Sequence, residues 1–225
     1  LKKARGLKKF ETLIKEARKK NSTVACLIEK GVIISEKRKR TKVKSNKSLI
    51  RFDFLKEFIN QIPRNSKIIS TTGYTSRELI ELRKNSKRGK DFYMVGGMGH
   101  SSSVAIGYSL HSRKEVYCLD GDGSVLMHMG PLRTAGFLNR KNFKHIILNN
   151  NSHESVGGQI TTASGINFMM LSKSLGYKNF LKISAKKDLK KTIKRFIKSN
   201  GPTLLEVKID NGTIKNLSRP KNLLK

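Results

Sequence analysis

The stretch CLDGDGSVLMHMG, residues 118–130, contains a short apolar run that ends in Asp-Gly-Asp-Gly. A run of this kind predicts a buried β-strand that ends in a turn. A second apolar run, KHIILNN (144–150), ends in paired asparagines, and Asn150 follows Asp122 by 28 residues. That interval fits one helix and one strand, so we expect the two runs to be neighbouring parallel strands. Asp122 and Asn150 would then lie at the same edge of a sheet.

The residue types at this edge favour a site for a metal ion and a diphosphate. The carboxylate of Asp122, the amide oxygen of Asn150 and nearby turn carbonyls form an oxygen-only ligand set, which Mg²⁺ prefers when water and phosphates fill its other positions. Gly121 and Gly123 let backbone N–H groups approach a phosphate, and a helix after Ser124 would present its N-terminus. Gly-Asp-Gly alone indicates only a turn. Gly-Asp-Gly followed by Asn-Asn at this interval is a specific signal for a metal and diphosphate site.

Strand-like and helix-like segments alternate over most of the chain. The pattern predicts an α/β fold, a doubly wound and mostly parallel sheet with helices on both faces, in which ligands bind at the carboxyl ends of strands. In the last helix Leu189, Ile193, Phe196 and Ile197 form an apolar stripe. Strands are expected at 67–73, 115–120, 144–150, 180–184 and 203–209, and helices at 51–62, 99–112, 130–140, 167–176 and 187–199.

The N-terminal part has a different pattern. Residues 7–20 have helical apolar spacing, TVACLIEKG (23–31) has the composition of a buried strand, and 36–47 is basic without apolar periodicity. We therefore expect residues 1–45 to be the closing elements of a preceding domain plus a linker, and 46–225 to be the domain with the site. The first residue is Leu1, which suggests a fragment or a separated half.

The formal net charge of +32 invites a nucleic-acid interpretation. However, residues 91–160 carry six Lys/Arg and five Asp/Glu, a net charge of +1, whereas residues 1–44 carry sixteen and four. The basic segments lack interleaved aromatic residues, and no helix-turn-helix, zinc-finger or RNA-recognition signature is present. These features disfavour nucleic-acid binding as the main function.

Cysteine usage and hydropathy favour a cytoplasmic protein. Cys26 and Cys118 each lie in an apolar run without a second cysteine nearby, a spacing that fits neither a zinc site nor a disulfide framework. No apolar run approaches the roughly 18 residues of a membrane span. The basic N-terminus is not followed by the apolar stretch of a signal peptide.

Four segments together resemble the phosphonopyruvate decarboxylases, which are thiamine-diphosphate-dependent enzymes. The resemblance covers residues 46–210 in order, and Gly121-Asp122-Gly123 with Asn149-Asn150 matches the Mg–thiamine diphosphate motif. It implies the thiamine-diphosphate-binding fold and decarboxylation of 3-phosphonopyruvate to phosphonoacetaldehyde and CO₂, as in phosphonate biosynthesis. The segments are TTGYTSRELIELR (71–83), DFYMVGGMGHSSSVAIG (91–107), CLDGDGSVLMHMG (118–130) and LNNNSHESVGGQ (148–159).

The resemblance also implies roles for single residues. Mg²⁺ would be bound by Asp122, the Asn150 side chain and the Ser152 carbonyl. The Gly96 carbonyl would hold the aminopyrimidine, and Met98 would support the bent cofactor. Where the family usually has a small turn residue, this chain has Asn151, which weakens the assignment of Ser152. Cofactor contacts are implied for Gly73, Tyr74, Gly96, Met98, Gly121, Gly123, Ser124 and Asn150.

Cofactor activation in this family normally requires a glutamate from a second, pyrimidine-binding domain. Glu11, Glu16 and Glu29 belong to the N-terminal part, and none follows an early strand. The resemblance therefore implies that the glutamate lies upstream or on another chain, and that the chain works as a homo- or hetero-oligomer with a pyrimidine-binding domain or subunit.

Three residues are candidates for acid–base or anion contacts: His153, Glu154 and His100. His153 with Glu154 could contact an anionic substrate or relay a proton, or His153 could shape the loop by hydrogen bonding. His100 could act in the site or could cap the helix that follows it. Arg77 could neutralise a phosphonate or form a surface ion pair. The segment FMMLSKSLG (168–176) is more typical of helix core than of a Met-rich site.

Two alternatives to phosphonopyruvate decarboxylation remain. The chain resembles, less closely, the cofactor-binding half of sulfopyruvate decarboxylase, whose substrate also presents a tetrahedral anion beside the keto acid. The other alternative is a non-catalytic, basic nucleic-acid-binding protein on the same fold, which the intact Asp122 and Asn150 pair disfavours.

Overall fold

The computed structural model describes residues 6–29, 31–32, 49–84 and 91–218. The chain divides into two compact units, Leu1–Lys44 and Ser45–Lys225. The division lies one residue from the expected boundary. That the first unit is the end of a pyrimidine-binding domain stays a prediction. The expected linker at 36–47 lies outside the described residues.

The first unit contains a single described helix, α1 (Gly6–Lys20), with three basic residues in its last turn, where positive charge is favourable. The expected buried strand at 23–31 is wrong. Residues 22–29 adopt no regular structure, and the Leu27 side chain is 89% exposed. The composition of an apolar run does not suffice, because a strand also needs a neighbour for its backbone hydrogen bonds.

The second unit is built on a six-stranded parallel sheet with the order β2-β1-β3-β4-β6-β5. The expected doubly wound α/β fold is confirmed, and every expected strand of this unit is present. The short edge strand β2 was not anticipated. The strands are β1 (Lys67–Ser70), β2 (Phe92–Tyr93), β3 (Val116–Gly121), β4 (Phe143–Asn149), β5 (Asn179–Ile183) and β6 (Thr203–Lys208).

Helices cover both faces of the sheet and form two cores. One core packs α2, α3 and α8 on the sheet, and the other packs α4 to α7. In α8 the expected stripe is confirmed, since Leu189, Ile193 and Phe196 are buried and Ile197 is partly buried. The helices are α2 (Arg51–Gln61), α3 (Tyr74–Arg83), α4 (Ser101–His111), α5 (Asp122–Met127), α6 (Gly130–Leu138), α7 (Phe168–Ser174) and α8 (Leu189–Lys198).

One helix differs from the sequence expectation in its packing. In the segment 168–176 Phe168 and Ser172 are buried, and Leu171 and Leu175 pack against the core, as expected. The two methionines differ from the expectation, since Met169 and Met170 are 54% and 65% exposed. No helix within the described ranges is both long and apolar enough to cross a membrane.

The sheet order brings four loops to one edge. Gly121 at the end of β3 pairs with Leu148 near the end of β4, so Asp122 and Asn150 leave the sheet side by side, as predicted. The chain order reverses between β1 and β3, and such a switch point is where open α/β sheets bind ligands. The loops after β1, β2, β3 and β4 therefore meet at this edge.

Candidate active site

A cleft opens at this edge of the sheet, and most of the residues predicted for the site line it. Gly73 lies instead in an adjoining cavity, which shares Thr72, Met98 and Ser155 with the cleft. Gly96 and His100 line neither. The predicted residues in the cleft are Tyr74, Met98, Gly121, Asp122, Gly123, Ser124, Asn150, Ser152, His153 and Glu154.

Asp122 is the first residue of α5 and is 2% exposed. Burial raises the pKa of its carboxyl group, while hydrogen bonds from the Thr161 hydroxyl and from backbone N–H groups, including those of Gly123 and Asn150, oppose the rise. Among the residues that the structure describes, no lysine or arginine pairs with this carboxylate. A buried carboxylate without a countercharge at a cleft is suited to a cation.

Ser124 connects three of the loops. Its hydroxyl lies 2.9 Å from the Thr71 hydroxyl and accepts a hydrogen bond of 3.0 Å from the backbone N–H of Gly99. Gly99 has φ +92°, which a residue with a side chain rarely adopts. The Ser124 side chain therefore holds the loops after β1 and β2 against the Gly-Asp-Gly turn, besides lining the cleft.

The loop after β4 takes a sharp left-handed turn at Asn151, where φ is +53°. Asparagine tolerates this conformation better than other residues with side chains, so it can replace the small turn residue of the family. The turn brings Ser152 to the cleft, and its buried hydroxyl has no hydrogen-bond partner among the described residues. The departure at Asn151 is thus compatible with the turn that the Ser152 prediction requires.

His153 packs its ring against the Gly-Asp-Gly turn. A Cβ atom placed on Gly123 would lie 2.6 Å from His153 Nδ1, so a glycine is required there. The His153 backbone organises the loop, since its N–H donates to Gln159 and its carbonyl accepts from Val156 and Gly158. Both interpretations of this histidine, anion contact and loop shaping, stay predictions.

Glu154 is fixed by several partners. Its Oε2 accepts a 2.6 Å hydrogen bond from Arg51 Nη2, and its Oε1 accepts one of 2.6 Å from the Gly212 N–H. Arg51 also pairs at 3.6 Å with Glu78, whose pKa is raised because its carboxyl group is buried. These contacts favour a structural role for Glu154, and its predicted part in acid–base chemistry stays a prediction.

His100 occupies the N-cap position of α4, but its side chain makes no capping hydrogen bond. Instead its Nδ1 lies 3.2 Å from Nδ1 of His128, and both side chains are exposed. The structure does not bring His100 to the cleft, so a catalytic role for it remains a prediction without positional support.

Tyr74 and Arg77 lie at the start of α3, after Gly73, which has φ +99°. The guanidinium groups of Arg51 and Arg77 lie 5.7 and 5.6 Å from the centre of the Tyr74 ring. Arg77 donates to the carbonyls of Leu217 and Ser218 at 2.6 and 3.0 Å. Among the described residues Arg77 has no ion pair, so the surface ion pair is not seen, and because Arg77 lines the cavity that adjoins the cleft, its contact with an anion stays a prediction.

Sequence reasoning missed a polar cluster beneath the site. Cys118, Asp120 and His145 place ligand atoms within 4.8 Å of one another and are fully buried. His145 lies 3.4 Å from Asp120 and 3.1 Å from the Tyr177 hydroxyl. Burial raises the pKa of the Cys118 thiol. Hydrogen bonds link His145 to Asp120 and to Tyr177, which is the arrangement of a core network.

The family model described as "Thiamine pyrophosphate enzyme, C-terminal TPP binding domain" matches residues 72–207, more than half of the 225-residue chain. The chain belongs to the thiamine pyrophosphate enzymes. The matched range begins after β1 and contains the Gly-Asp-Gly turn and the loop after β4, so most of the residues that line the cleft lie within the matched domain.

The relatives of the chain include two kinds of decarboxylase. The chain is 37% identical to a phosphonopyruvate decarboxylase of Streptomyces viridochromogenes, over 76% of the chain and 42% of the relative. It is 36% identical to one of Streptomyces hygroscopicus, over 74% and 41%. A sulfopyruvate decarboxylase subunit beta of Methanocaldococcus jannaschii is 35% identical, over 56% and 66%. The chain spans about two fifths of the length of the phosphonopyruvate decarboxylases that it matches.

The residues at the cleft fit the cofactor of this family. The uncompensated carboxylate of Asp122 suits a cation, and the unpartnered hydroxyl of Ser152 offers a polar group at the same place. Gly121 leaves open space where a side chain would lie, so a phosphate can approach the backbone there. The fit rests on these features of the chain itself.

Proposed function

We propose that the chain is the Mg²⁺ and thiamine diphosphate-binding part of a carboxy-lyase that converts 3-phosphonopyruvate to phosphonoacetaldehyde and CO₂. The observation that carries this proposal is the placement of Asp122 and Asn150 at adjoining strand ends, with the Asp122 carboxylate buried and without a lysine or arginine partner among the residues that the structure describes. The similarity to the two Streptomyces phosphonopyruvate decarboxylases supports the choice of reaction.

In this proposal Asp122, the Asn150 oxygen and the Ser152 carbonyl hold Mg²⁺, and Gly121, Gly123 and Ser124 hold the diphosphate. Gly73, Tyr74, Gly96 and Met98 would flank the rest of the cofactor. When bound, thiamine diphosphate supplies the electron sink for the carbanion that remains after CO₂ leaves. The residues of this chain orient the keto acid and exclude water from it.

The carboxylates that line the cleft are Asp122 and Glu154. Thr161 bonds to Asp122, and Arg51 and Gly212 bond to Glu154, which leaves neither suited to activate the aminopyrimidine ring. We therefore infer that the activating glutamate comes from a pyrimidine-binding domain or subunit. The name of the M. jannaschii relative, a subunit beta, agrees with such a division. The free thiols Cys26 and Cys118 agree with a cytoplasmic location.

His153 is the proposed contact for the anionic end of the substrate, since its ring lies in the cleft beside Gly123. A phosphonate and a sulfonate present the same tetrahedral oxygen array to such a contact. The similarity to a sulfopyruvate decarboxylase subunit makes sulfopyruvate the second candidate substrate. Nucleic-acid binding is not favoured, because Asp122 and Asn150 are both present and both line the cleft.

Turnover of the two substrates tests this proposal. The chain, combined with its upstream or partner domain, Mg²⁺ and thiamine diphosphate, is assayed with phosphonopyruvate and sulfopyruvate in parallel. We expect aldehyde and CO₂ from phosphonopyruvate, with His153→Gln raising KM more than it lowers kcat. Turnover of sulfopyruvate but not of phosphonopyruvate would make sulfopyruvate the substrate. Cofactor binding without turnover of either keto acid would contradict the proposed decarboxylation.

A further inference from the structure

The orientation of the Asn150 side chain is set by its neighbours. An asparagine binds a cation only through its oxygen, so its NH₂ group needs partners elsewhere. Here Nδ2 donates to Asn211 Oδ1 at 2.9 Å and lies 3.4 Å from Glu154 Oε2. The oxygen of the same amide accepts a hydrogen bond of 3.1 Å from the Ser152 N–H.

These partners exclude the orientation in which the oxygen and the nitrogen of the Asn150 side-chain amide exchange places. A backbone N–H can only donate and an ionised carboxylate can only accept, so the Ser152 N–H must face the oxygen of Asn150 and Glu154 must face its nitrogen. A flip would place two donors together at Ser152 and two acceptors together at Glu154. The oxygen has two lone pairs, and Ser152 uses one, which leaves the other for a cation.

Glu154 and Asn211 are themselves held in place. Glu154 is bonded to Arg51, which is 4% exposed, and to the Gly212 N–H. The chain before Asn211 is anchored after β6, since the Ile209 N–H donates to the Asn149 carbonyl at 3.0 Å and the Asp210 N–H to the Leu49 carbonyl at 2.8 Å. The chain after Asn211 is anchored by the bond from the Gly212 N–H to Glu154. The segment after β6 is thereby tied to the loop after β4.

We propose that Glu154 and Asn211 are positioning residues for the metal ligand Asn150: they hold its NH₂ group so that its oxygen is presented to the cation. This inference rests on the proposed function, through Asn150 as a ligand of Mg²⁺. It replaces the acid–base role predicted for Glu154 and adds a residue from the far end of the domain that no sequence motif marks. Partners of metal ligands typically contribute 10–100-fold to metal affinity.

Asn211 gives the sharper test, because it is exposed and its replacement leaves the buried Arg51 pair intact. Asn211→Leu removes the acceptor at nearly the same size, whereas Asn211→Asp keeps it. Asn60→Leu, at an exposed position of α2, is the matched control. All variants are made in the full chain combined with its upstream or partner domain. Mn²⁺ affinity is measured by electron paramagnetic resonance at saturating thiamine diphosphate, and circular dichroism checks the fold.

We expect Asn211→Leu to weaken Mn²⁺ binding about 10-fold, while Asn211→Asp and Asn60→Leu bind at least as tightly as the wild type. Equal affinity of Asn211→Leu and wild type would overturn the inference, and so would equal losses in Asn211→Leu and Asn211→Asp, because the second variant keeps the acceptor. Asp122→Ala in the same experiment separates the two proposals. If Asp122→Ala abolishes Mn²⁺ binding while Asn211→Leu binds Mn²⁺ as tightly as the wild type, the metal site stands and the inference falls. If Asp122→Ala has no effect, the metal site falls as well.

Discussion

Two aspartates of the DGDG stretch, only two residues apart, have opposite surroundings. Asp120 lies inside the sheet, where its carboxylate meets His145 at 3.4 Å and accepts a hydrogen bond from the Gly121 N–H at 3.2 Å. Asp122 lies at the cleft, with hydroxyl and N–H donors but no cationic partner among the described residues. The protein satisfies the first carboxylate by itself and leaves the second for a ligand.

This difference explains how one short motif both fixes the end of a strand and places a proposed ligand at the cleft. Asp120, together with His145 and Tyr177, fixes the end of β3 from within the core. Asp122 then leaves the sheet at a defined place beside Asn150. A ligand site needs such support, because a side chain held by loose loops cannot present its oxygen to a cation reproducibly. Substitutions at the two positions should therefore affect different properties.

The largest effect is expected for Asp122→Ala. Loss of the only buried carboxylate proposed as a ligand should weaken Mg-dependent binding of thiamine diphosphate at least about 100-fold, more than loss of a supporting contact. The cofactor-free fold should lose less stability than with Asp120→Ala, because the substitution leaves Thr161 without its acceptor but also removes a buried charge that has no lysine or arginine partner among the described residues. Equilibrium dialysis and thermal denaturation measure the two properties, with Asp188→Ala at an exposed position as the control.

Asp120→Ala should mainly lower the stability of the fold rather than the affinity for the cofactor. It leaves His145 and the Gly121 N–H without their acceptor inside the core, which we expect to lower the free energy of unfolding by about 2 kcal/mol. Urea denaturation of the cofactor-free protein measures this loss. If Asp120→Ala left stability unchanged while Asp122→Ala reduced it, the contrast between the two aspartates would be wrong.

A smaller effect is expected at the turn beside the site. Asn151→Ala places an alanine at φ +53° and should cost about 1 kcal/mol of unfolding free energy, whereas Asn151→Gly should be nearly neutral. Cofactor affinity should follow the same order, because the turn brings Ser152 to the cleft. Urea denaturation and dialysis of both variants test this. Equal behaviour of the alanine and glycine variants would show that the backbone conformation is not the cause.

The smallest effect concerns Glu81, a carboxylate near the surface that the protein also satisfies by itself. Hydrogen bonds from Lys84 and Ser218 lower its pKa from 4.5 to about 2. The ionised form is thus favoured in the folded state, so its contribution to stability is present above about pH 4.5 and is lost as the pH falls through about 2. Glu81→Gln should be less stable than the wild type at pH 7, and the difference should disappear towards pH 2 in urea titrations. A difference independent of pH would contradict this assignment.

The sequence predicted the structure correctly where the local pattern of residues agrees with the sheet topology. The apolar runs, the glycine turns and the interval between Asp122 and Asn150 sufficed to predict two neighbouring parallel strands and the edge where their ligands meet. The same reasoning was wrong for residues 23–31, where the described residues 22–29 adopt no regular structure, because apolar composition alone does not provide the neighbouring strand that a β-strand needs.

Contacts between segments that are far apart in the chain could not be predicted from the sequence. Arg51 and Glu154 are 103 residues apart and Asn150 and Asn211 are 61 apart, and no spacing rule connects such pairs. Thr161, which donates to Asp122, follows an irregular loop and belongs to no recognisable motif. His100 was a plausible site residue by its position beside the glycines, yet its ring pairs with His128 outside the cleft.

The central claim is that Asp122 and Asn150 form a divalent-metal site on which cofactor binding depends. The most direct test is calorimetric titration of thiamine diphosphate into the wild-type chain, combined with its upstream or partner domain, once with Mg²⁺ and once with EDTA. We predict saturable binding with Mg²⁺ and none with EDTA, restored when Mg²⁺ is added back. Binding of equal affinity in EDTA would contradict the account.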